Sequence, residues 1–327
     1  MTRRKSPIRY IPDAIQHIYH RAQDKGVIFY TDEDRIVYYT IAAAVKRKYD
    51  LTIYASSLMF THVHHSVKCR SLRILRKFLQ DLDSIFARAY NKEHKREGQL
   101  FCNQPGISQK ASWKAKKSNI IYVFNNHVEK KICTSAVQER WSLLAYAMSE
   151  HPFSAPIVSP SASLIRAIHL VDRRVSSNLP LKYRDLHKIL PSLDNIEKEQ
   201  FFDYVIVKFA LIDYESASEY FQDFDSMMTA VNSVEGGEWN LKEDYYNAPD
   251  TQFLELTTWF SANSKHKSPY SLSSLEKMEL IVRAKHETSA LDCHLERFFH
   301  MKFRDHPSLD PIRRLENYPT GAPRGYQ

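Results

Sequence analysis

The chain has 327 residues, 43% of them apolar, and carries 46 Lys and Arg against 38 Asp and Glu, a net charge of +8. That length and apolar share predict a folded chain of about two domains and exclude bulk disorder. Seven scattered glycines are too few for a Walker loop or a dinucleotide fingerprint, and Cys69, Cys102, Cys133 and Cys293 lie too far apart for a zinc cluster or a disulfide framework.

The N-terminus, Met-Thr-Arg-Arg-Lys, leads into Ile8-Arg-Tyr-Ile-Pro-Asp13 rather than an apolar leader core, and no run approaches 18 apolar residues. A soluble, cytoplasmic protein is expected. From Ala14 to Phe29 the alternation predicts a pair of strands turning at Asp24-Lys25-Gly26. Thr31 offers an N-cap, with Asp32, Glu33 and Asp34 in the first turn where the helix dipole favours negative charge, and the helix is expected to reach about Lys48. Leu51–Met59 and Thr61–Lys68 read as two neighbouring strands joined tightly around Phe60. Leu72, Leu75, Phe78, Leu79, Leu82, Ile85, Phe86 and Ala89 recur at helical spacing, which makes Leu72–Ala89 the clearest helix. A polar turn over Asn91–Gly98 precedes a short strand expected over Gln99–Asn103. Ser108–Lys117 is a basic stretch, and a further helix is predicted from Ser118 through Val128.

This order predicts an α+β class with a ferredoxin-like antiparallel sheet covered on one face by helices. A catalytic and DNA-binding domain is expected over residues 1–135, a connecting segment over 136–163, and a helical accessory region over 164–327. The best linker candidate is His151–Ser163, with three prolines and four serines. Charge follows the same division. Residues 1–135 hold 25 Lys and Arg against 11 Asp and Glu, net +14, whereas residues 136–327 hold 21 against 27, net −6. A basic, apolar-rich segment suits a polyanion, because each cation placed at a phosphate releases condensed counterions.

Thr61-His62-Val63-His64-His65 is the feature with the most chemical content. On a strand, His62 and His64 share one face about 7 Å apart, so two imidazoles can converge on one metal ion, while Val63 faces the core. His65 falls on the opposite face and reads as structural; His17 and His20 read as packing, and Asp81 and Asp83 as solvated. In Tyr122-Val-Phe-Asn-Asn126, Tyr122 and Asn126 stand at i and i+4 on a helix, placing a phenol and an amide oxygen together. An amide oxygen suits a hard divalent ion, and a phenol beside such an ion can attack phosphorus.

These segments, His17-Ile-Tyr-His-Arg-Ala-Gln-Asp-Lys-Gly-Val-Ile-Phe29, Met59-Phe-Thr-His-Val-His-His65, Gly98-Gln-Leu-Phe101 and Tyr122-Val-Phe-Asn-Asn-His-Val128, occur in the order seen in single-tyrosine HUH transposases. The chain most resembles the bacterial REP-associated tyrosine transposases over residues 10–135. The resemblance implies a divalent metal ion, magnesium or manganese, held by His62 and His64 with Asn126 completing the site, and Tyr122 as the nucleophile that joins a DNA 5′ phosphate. Single-stranded or hairpin DNA is the implied partner, and the oligomer is a monomer or a homodimer. Where the family has Met-Pro-Asn this chain has Met59-Phe60-Thr61, and where it has Asn-Pro-Val-Arg this chain has Asn126-His127-Val128-Glu129. Lys110, Lys114, Lys116 and Lys117, upstream of Tyr122, are candidates to hold the DNA backbone, with Trp113 offering a face to an unpaired base.

The acidic part holds helical runs such as Phe201–Ile212 and Ser216–Val231. Ser273 and Glu276 form a capping-box pattern opening a helix through Met278 and Ile281, and Thr288-Ser289 is the expected cap of a second helix with Leu291, Leu295 and Phe298. A plain helical hairpin or a DNA-reading helix-turn-helix fits this pair. Three functions remain open: a metal-dependent transposase, a DNA-binding or regulatory protein that keeps the fold without cleaving, and an RNA-binding protein using the same basic domain.

Overall fold

The computed structural model of the chain describes residues 10–102, 104–233 and 250–306. Four strands form one antiparallel sheet: β1 (Ile15–Arg21), β2 (Leu51–Leu58), β3 (His62–Cys69) and β4 (Gly106–Lys110), in the order β2-β3-β1-β4. With α1 (Asp32–Lys46), α2 (Leu72–Glu93) and α3 (Trp113–Glu129), the chain runs βαββαβα, the split βαβ arrangement of ferredoxin-like folds. The class is α+β.

Local chemistry accounts for the early helices. Thr31 Oγ1 accepts from Asp34 N at 3.3 Å while Asp34 Oδ2 accepts from Thr31 N at 3.1 Å, a reciprocal cap that starts α1. In α2 the expected apolar stripe is buried apart from the half-buried Ile85 and Ala89, whereas Arg73, Arg76 and Lys77 face solvent. β2 and β3 are the hairpin predicted around Phe60, with Met59 N donating to His62 O.

Several expectations are corrected. Val27–Phe29 is no strand. A single 3-10 turn at Gln23–Lys25 redirects the chain, and the Val27 amide donates to Arg297 O while those of Ile28 and Phe29 donate to Phe60 O. Its apolar run is buried against other segments rather than in the sheet, which alternation alone cannot distinguish. Near Gln99–Asn103, where Asn103 lies outside the described residues, only Phe101 forms a bridge, to Ala22. The fourth strand lies later, at Gly106–Lys110, an edge strand with too little burial to print an apolar alternation. α3 begins at Trp113 rather than Ser118, because Ser112 Oγ caps it by accepting from Ala115 N. Both faces of the sheet are covered: α1 and α2 lie on the side of His20 and His65, and α3 lies on the side of His62 and His64.

The rest is helical: α4 (Ala162–Ser176), α5 (Tyr183–Ile189), α6 (Asn195–Phe209), α7 (Tyr214–Ser218), α8 (Phe224–Asn232), α9 (Thr251–Asn263), α10 (Ser274–Glu287) and α11 (Asp292–Phe299). One apolar core runs without a break from Ile15 to Val231 and includes Trp141, Leu143 and Leu144 of the expected connecting segment. Residues 136–147 of that segment are largely packed, whereas much of 148–163, including Met148 and Val158, is exposed. Phe153 N and Ser154 Oγ both donate to the buried Asp203 carboxylate, which also accepts from Arg140. α9, α10 and α11 close a second core over Val27, Tyr30 and Phe60. Thr288 is not the cap of α11 but the end of α10, where its hydroxyl donates to Ala284 O; Leu291 precedes α11. Leu295 and Phe298 of α11 are buried in this second core, as in a packed helical hairpin.

Gly26 shows how closely the two parts approach, since a Cβ there would overlap the His300 ring, with Nδ1 at 2.7 Å. Burial, and next the charge of Lys277, pull the His300 pKa down to about 3. A folded pKa below the unfolded value of about 6.5 means that His300 contributes stability above that pH and loses it as the pH falls from 6.5 toward 3. The wild type should therefore lose about 1 to 2 kcal/mol from this group between pH 7 and pH 5. His300→Asn, which tolerates the left-handed backbone at this position (φ 51°), should flatten the profile by that amount in urea unfolding followed by circular dichroism.

Candidate active site

The face of the sheet beneath α3 collects His17 and Tyr19 from β1, His62 and His64 from β3, and Tyr122 and Asn126 from α3. Alternation on β1 and β3, with Tyr19 opposite His64 and Arg21 opposite His62, brings the first four together. Helical spacing sets Tyr122 and Asn126 one turn apart on α3, and the Tyr122 ring comes down onto the histidines. The His62 and His64 ring centroids are 4.9 Å apart, and the Tyr122 ring meets His64 edge-on at 5.5 Å and His17 edge-on at 5.4 Å. His62, His64 and Tyr122 are thus buried in one cluster, and Asn126, one turn beyond Tyr122 on α3, is buried as well; none of the four is more than 5% exposed.

The hydrogen bonds of the cluster leave particular atoms over. His62 Nδ1 is 2.9 Å from Thr61 Oγ1, and His64 Nδ1 is 2.9 Å from His17 Nε2. Asn126 Nδ2 donates to Tyr122 O at 2.9 Å; because a carbonyl can only accept, this bond orients the amide with Oδ1 away from the helix backbone. What remains is His62 Nε2, His64 Nε2 and Asn126 Oδ1, buried and without a hydrogen-bond partner. A buried polar atom left unpaired costs about 1 to 3 kcal/mol, and imidazole nitrogens in their lone-pair tautomer together with an amide oxygen are donor types that a divalent ion accepts. Among the described residues no three His, Cys, Asp or Glu side chains converge as a metal cluster, so the set here is two imidazoles and an amide oxygen.

Electrostatics keep the imidazoles neutral. Burial, followed by the charges of Lys130 and Arg21, pulls the His62 pKa down to about 3. Burial and then the neighbouring His62 and His17 hold His64 well below its ordinary value. Neutral rings are what coordination requires. Arg21 stacks over the Tyr19 ring at 4.9 Å and donates Nε–H to its hydroxyl, while Lys130 ends α3. A small cavity of about 170 Å³, lined by His17, Tyr19, His64, Gly106, Ile107, Ser108 and Tyr122, connects the cluster to the β4 edge. A larger cleft of about 790 Å³ lies elsewhere, between Asp32, His187, Lys198 and Lys267, and takes in none of these groups.

His65, as expected, is structural, held between Tyr38 Oη and Ser56 Oγ at 2.9 Å each. His20 faces away from the cluster. Asp83 is not a solvated helix residue, since it lies 3.1 Å from His20 Nδ1, and burial raises its pKa. Of the basic stretch, Lys114 is exposed at the start of α3, and Trp113 is 56% exposed with its ring 5.0 Å from Tyr220. Lys116 and Lys117 lean over the rings of Tyr220 and Phe221 at 5.8 and 5.4 Å, and Lys110 ends β4 opposite Ile15. These residues lie about one to three turns before Tyr122 on α3, or on the strand leading to it. The sequence alone reads His17 as packing and does not single out Tyr19, Arg21 or Lys130; the odd-numbered alternation His17, Tyr19, Arg21 on β1 carried a signal for the first three and none for Lys130 at the end of α3.

No family model matches this chain, and no curated protein matches it. Among solved structures, one described as a REP-associated tyrosine transposase bound to a REP hairpin is similar over 48% of this chain and 95% of that chain, with 12% sequence identity and a TM-score of 0.39. Among the described residues no helix is long and apolar enough to cross a membrane.

The unpaired acceptors make a stability prediction that does not depend on any reaction. In the presence of a chelator, His62→Leu should be more stable than the wild type by roughly 1 kcal/mol, because it replaces an unpartnered buried nitrogen with an apolar group. Urea unfolding with and without chelator checks this.

Proposed function

We propose that this chain is a DNA nicking and joining enzyme of the single-tyrosine HUH class, a transposase acting on single-stranded or hairpin DNA through a 5′-phosphotyrosine link. The observation that carries the reading is the pair of neighbouring His62 and His64 rings, each with a buried and unpartnered Nε2, with the Tyr122 ring edge-on to His64 and the unpartnered Asn126 Oδ1 one turn further along the same helix. In identity and order these residues match the family's ligands and nucleophile. His62, His64 and Asn126 would hold the ion, and magnesium or manganese, when bound, supplies Lewis-acid polarisation of the scissile phosphate.

The chain's own residues do the rest. Tyr122 Oη attacks phosphorus and gives up its proton to solvent; the bond from phosphorus to the 3′ oxygen breaks, and that oxygen takes up a proton to leave as a free 3′-OH. A 3′-OH attacking the phosphotyrosine reverses the exchange and rejoins strands, so the bond energy is conserved and no nucleotide triphosphate is consumed. Arg21 and Lys130, whose charges act on His62, place cations where a phosphate would approach. The basic excess of residues 1–135 supplies the wider attraction. A second reading, a DNA-binding protein of this fold that does not cleave, is favoured by His127. This residue stands where the family has proline, is buried, and is bonded through Nδ1 to Ser57 Oγ at 3.2 Å.

Incubation of the full chain with a hairpin oligonucleotide and manganese should give a covalent adduct that survives denaturing electrophoresis and falls at least a thousandfold in Tyr122→Phe. Tight binding without adduct across metals and substrates would leave the second reading. Lys114→Ala should weaken DNA binding about equally for all sequences and reduce the slope of log affinity against log salt by about 1, as read by fluorescence anisotropy.

A further inference from the structure

We infer that His17 is the positioning residue that determines which nitrogen of His64 faces a divalent ion, an inference that rests on the metal-site reading above. The His17 and His64 rings are inclined by only 13° with centroids 5.2 Å apart, while His17 Nε2 and His64 Nδ1 are 2.9 Å apart. Two rings so nearly coplanar, with their nitrogens this close, are joined edge to edge by an in-plane hydrogen bond rather than stacked face to face. Both residues are buried, His17 at 3% and His64 at 1% exposure, so water does not compete for the bond.

One proton lies between the two nitrogens, and its owner decides the site. If His64 Nδ1 carries it and donates to the lone pair of His17 Nε2, then His64 Nε2 keeps a lone pair for a metal ion. If His17 Nε2 carries it, a neutral His64 has its own proton on Nε2 and is no ligand. The unpartnered His64 Nε2 favours the first arrangement, since a buried N–H with no acceptor and a buried lone pair with no donor are both costly, but only the lone pair is repaid by a cation. His17 thus takes the place that a carboxylate or backbone carbonyl occupies behind most metal-ligating imidazoles. An imidazole there orients His64 without adding negative charge beside a phosphate-binding site. The same His17 ring meets Tyr122 edge-on, so one β1 side chain locates both a ligand and the nucleophile. Thr61 Oγ1, on His62 Nδ1, is the corresponding partner for the other imidazole.

Manganese binding to the full chain, followed by the loss of the free-ion electron paramagnetic resonance signal, separates an acceptor from a packing role. His17→Phe keeps a ring of similar size without an acceptor, and should weaken manganese affinity about 10- to 100-fold with little change in melting temperature. His17→Gln restores an acceptor oxygen and should stay within about threefold of the wild type. If His17→Phe does not fold, His17→Leu takes its place in the comparison. Wild-type affinity in the apolar variant, or equal loss in the Gln and apolar variants, would overturn the role of His17 while leaving the metal site standing. A wild type that binds no manganese would instead remove the metal-site reading itself, and this inference with it.

Discussion

The pairing of β1 with β3, in the register that sets Tyr19 opposite His64, is the constraint on which the site depends. Side chains on a strand alternate between faces, so a slip of one residue would carry His62 and His64 to the face occupied by α1 and α2 and expose Val63 and His65 to the cluster. The register is held from both sides. Val63 and Val67 are buried in the core, and His65 is locked by Tyr38 and Ser56. On the other face, Ser66 Oγ donates to Asn119 Oδ1 of α3. The helix bearing Tyr122 is therefore positioned by the strand bearing the histidines.

The two faces of that sheet use histidine in opposite ways. His65 has both nitrogens engaged and serves as a buried polar rivet. His20 also has both engaged, with Asp83 and with Cys102 O. By contrast, His62 and His64 each spend one nitrogen on a neighbour and leave the other without a hydrogen-bond partner.

The acidic helical region is tied to α1 and α2 through buried hydrogen bonds. Asp34 shows how: its carboxylate accepts from the backbone of Tyr30 and Thr31, from His94 at the end of α2, and from Tyr183 of α5, while His94 reaches Ser268 beyond α9. Burial pushes the Asp34 pKa upward, but His94 and these hydrogen bonds bring it below the usual carboxylate value, so the charge is retained inside the protein. α1 is further tied to α6 by Tyr39 Oη to Ile206 O. The sign of the charge changes along the chain near residue 135, yet the core does not stop there.

Features written within a few residues of each other were legible in the sequence: the Thr31 cap with its acidic turn, the apolar stripe of α2, the β2–β3 hairpin, and the placing of His62 with His64 and of Tyr122 with Asn126. Each depends on a period or a cap that the local backbone enforces by itself. What only the tertiary structure decided was how those pieces meet. Val27 lies under the C-terminal helices, Gly106–Lys110 becomes a strand because β1 offers it an edge, and Trp141, Leu143 and Leu144 pack because the core receives them while Asp203 holds Arg140, Phe153 and Ser154. The role of His17 belongs to the same group: its meaning is a hydrogen bond to a residue 47 positions away, which no periodicity along β1 encodes. Local sequence determines which face a side chain takes, and long-range packing determines what that face finds opposite.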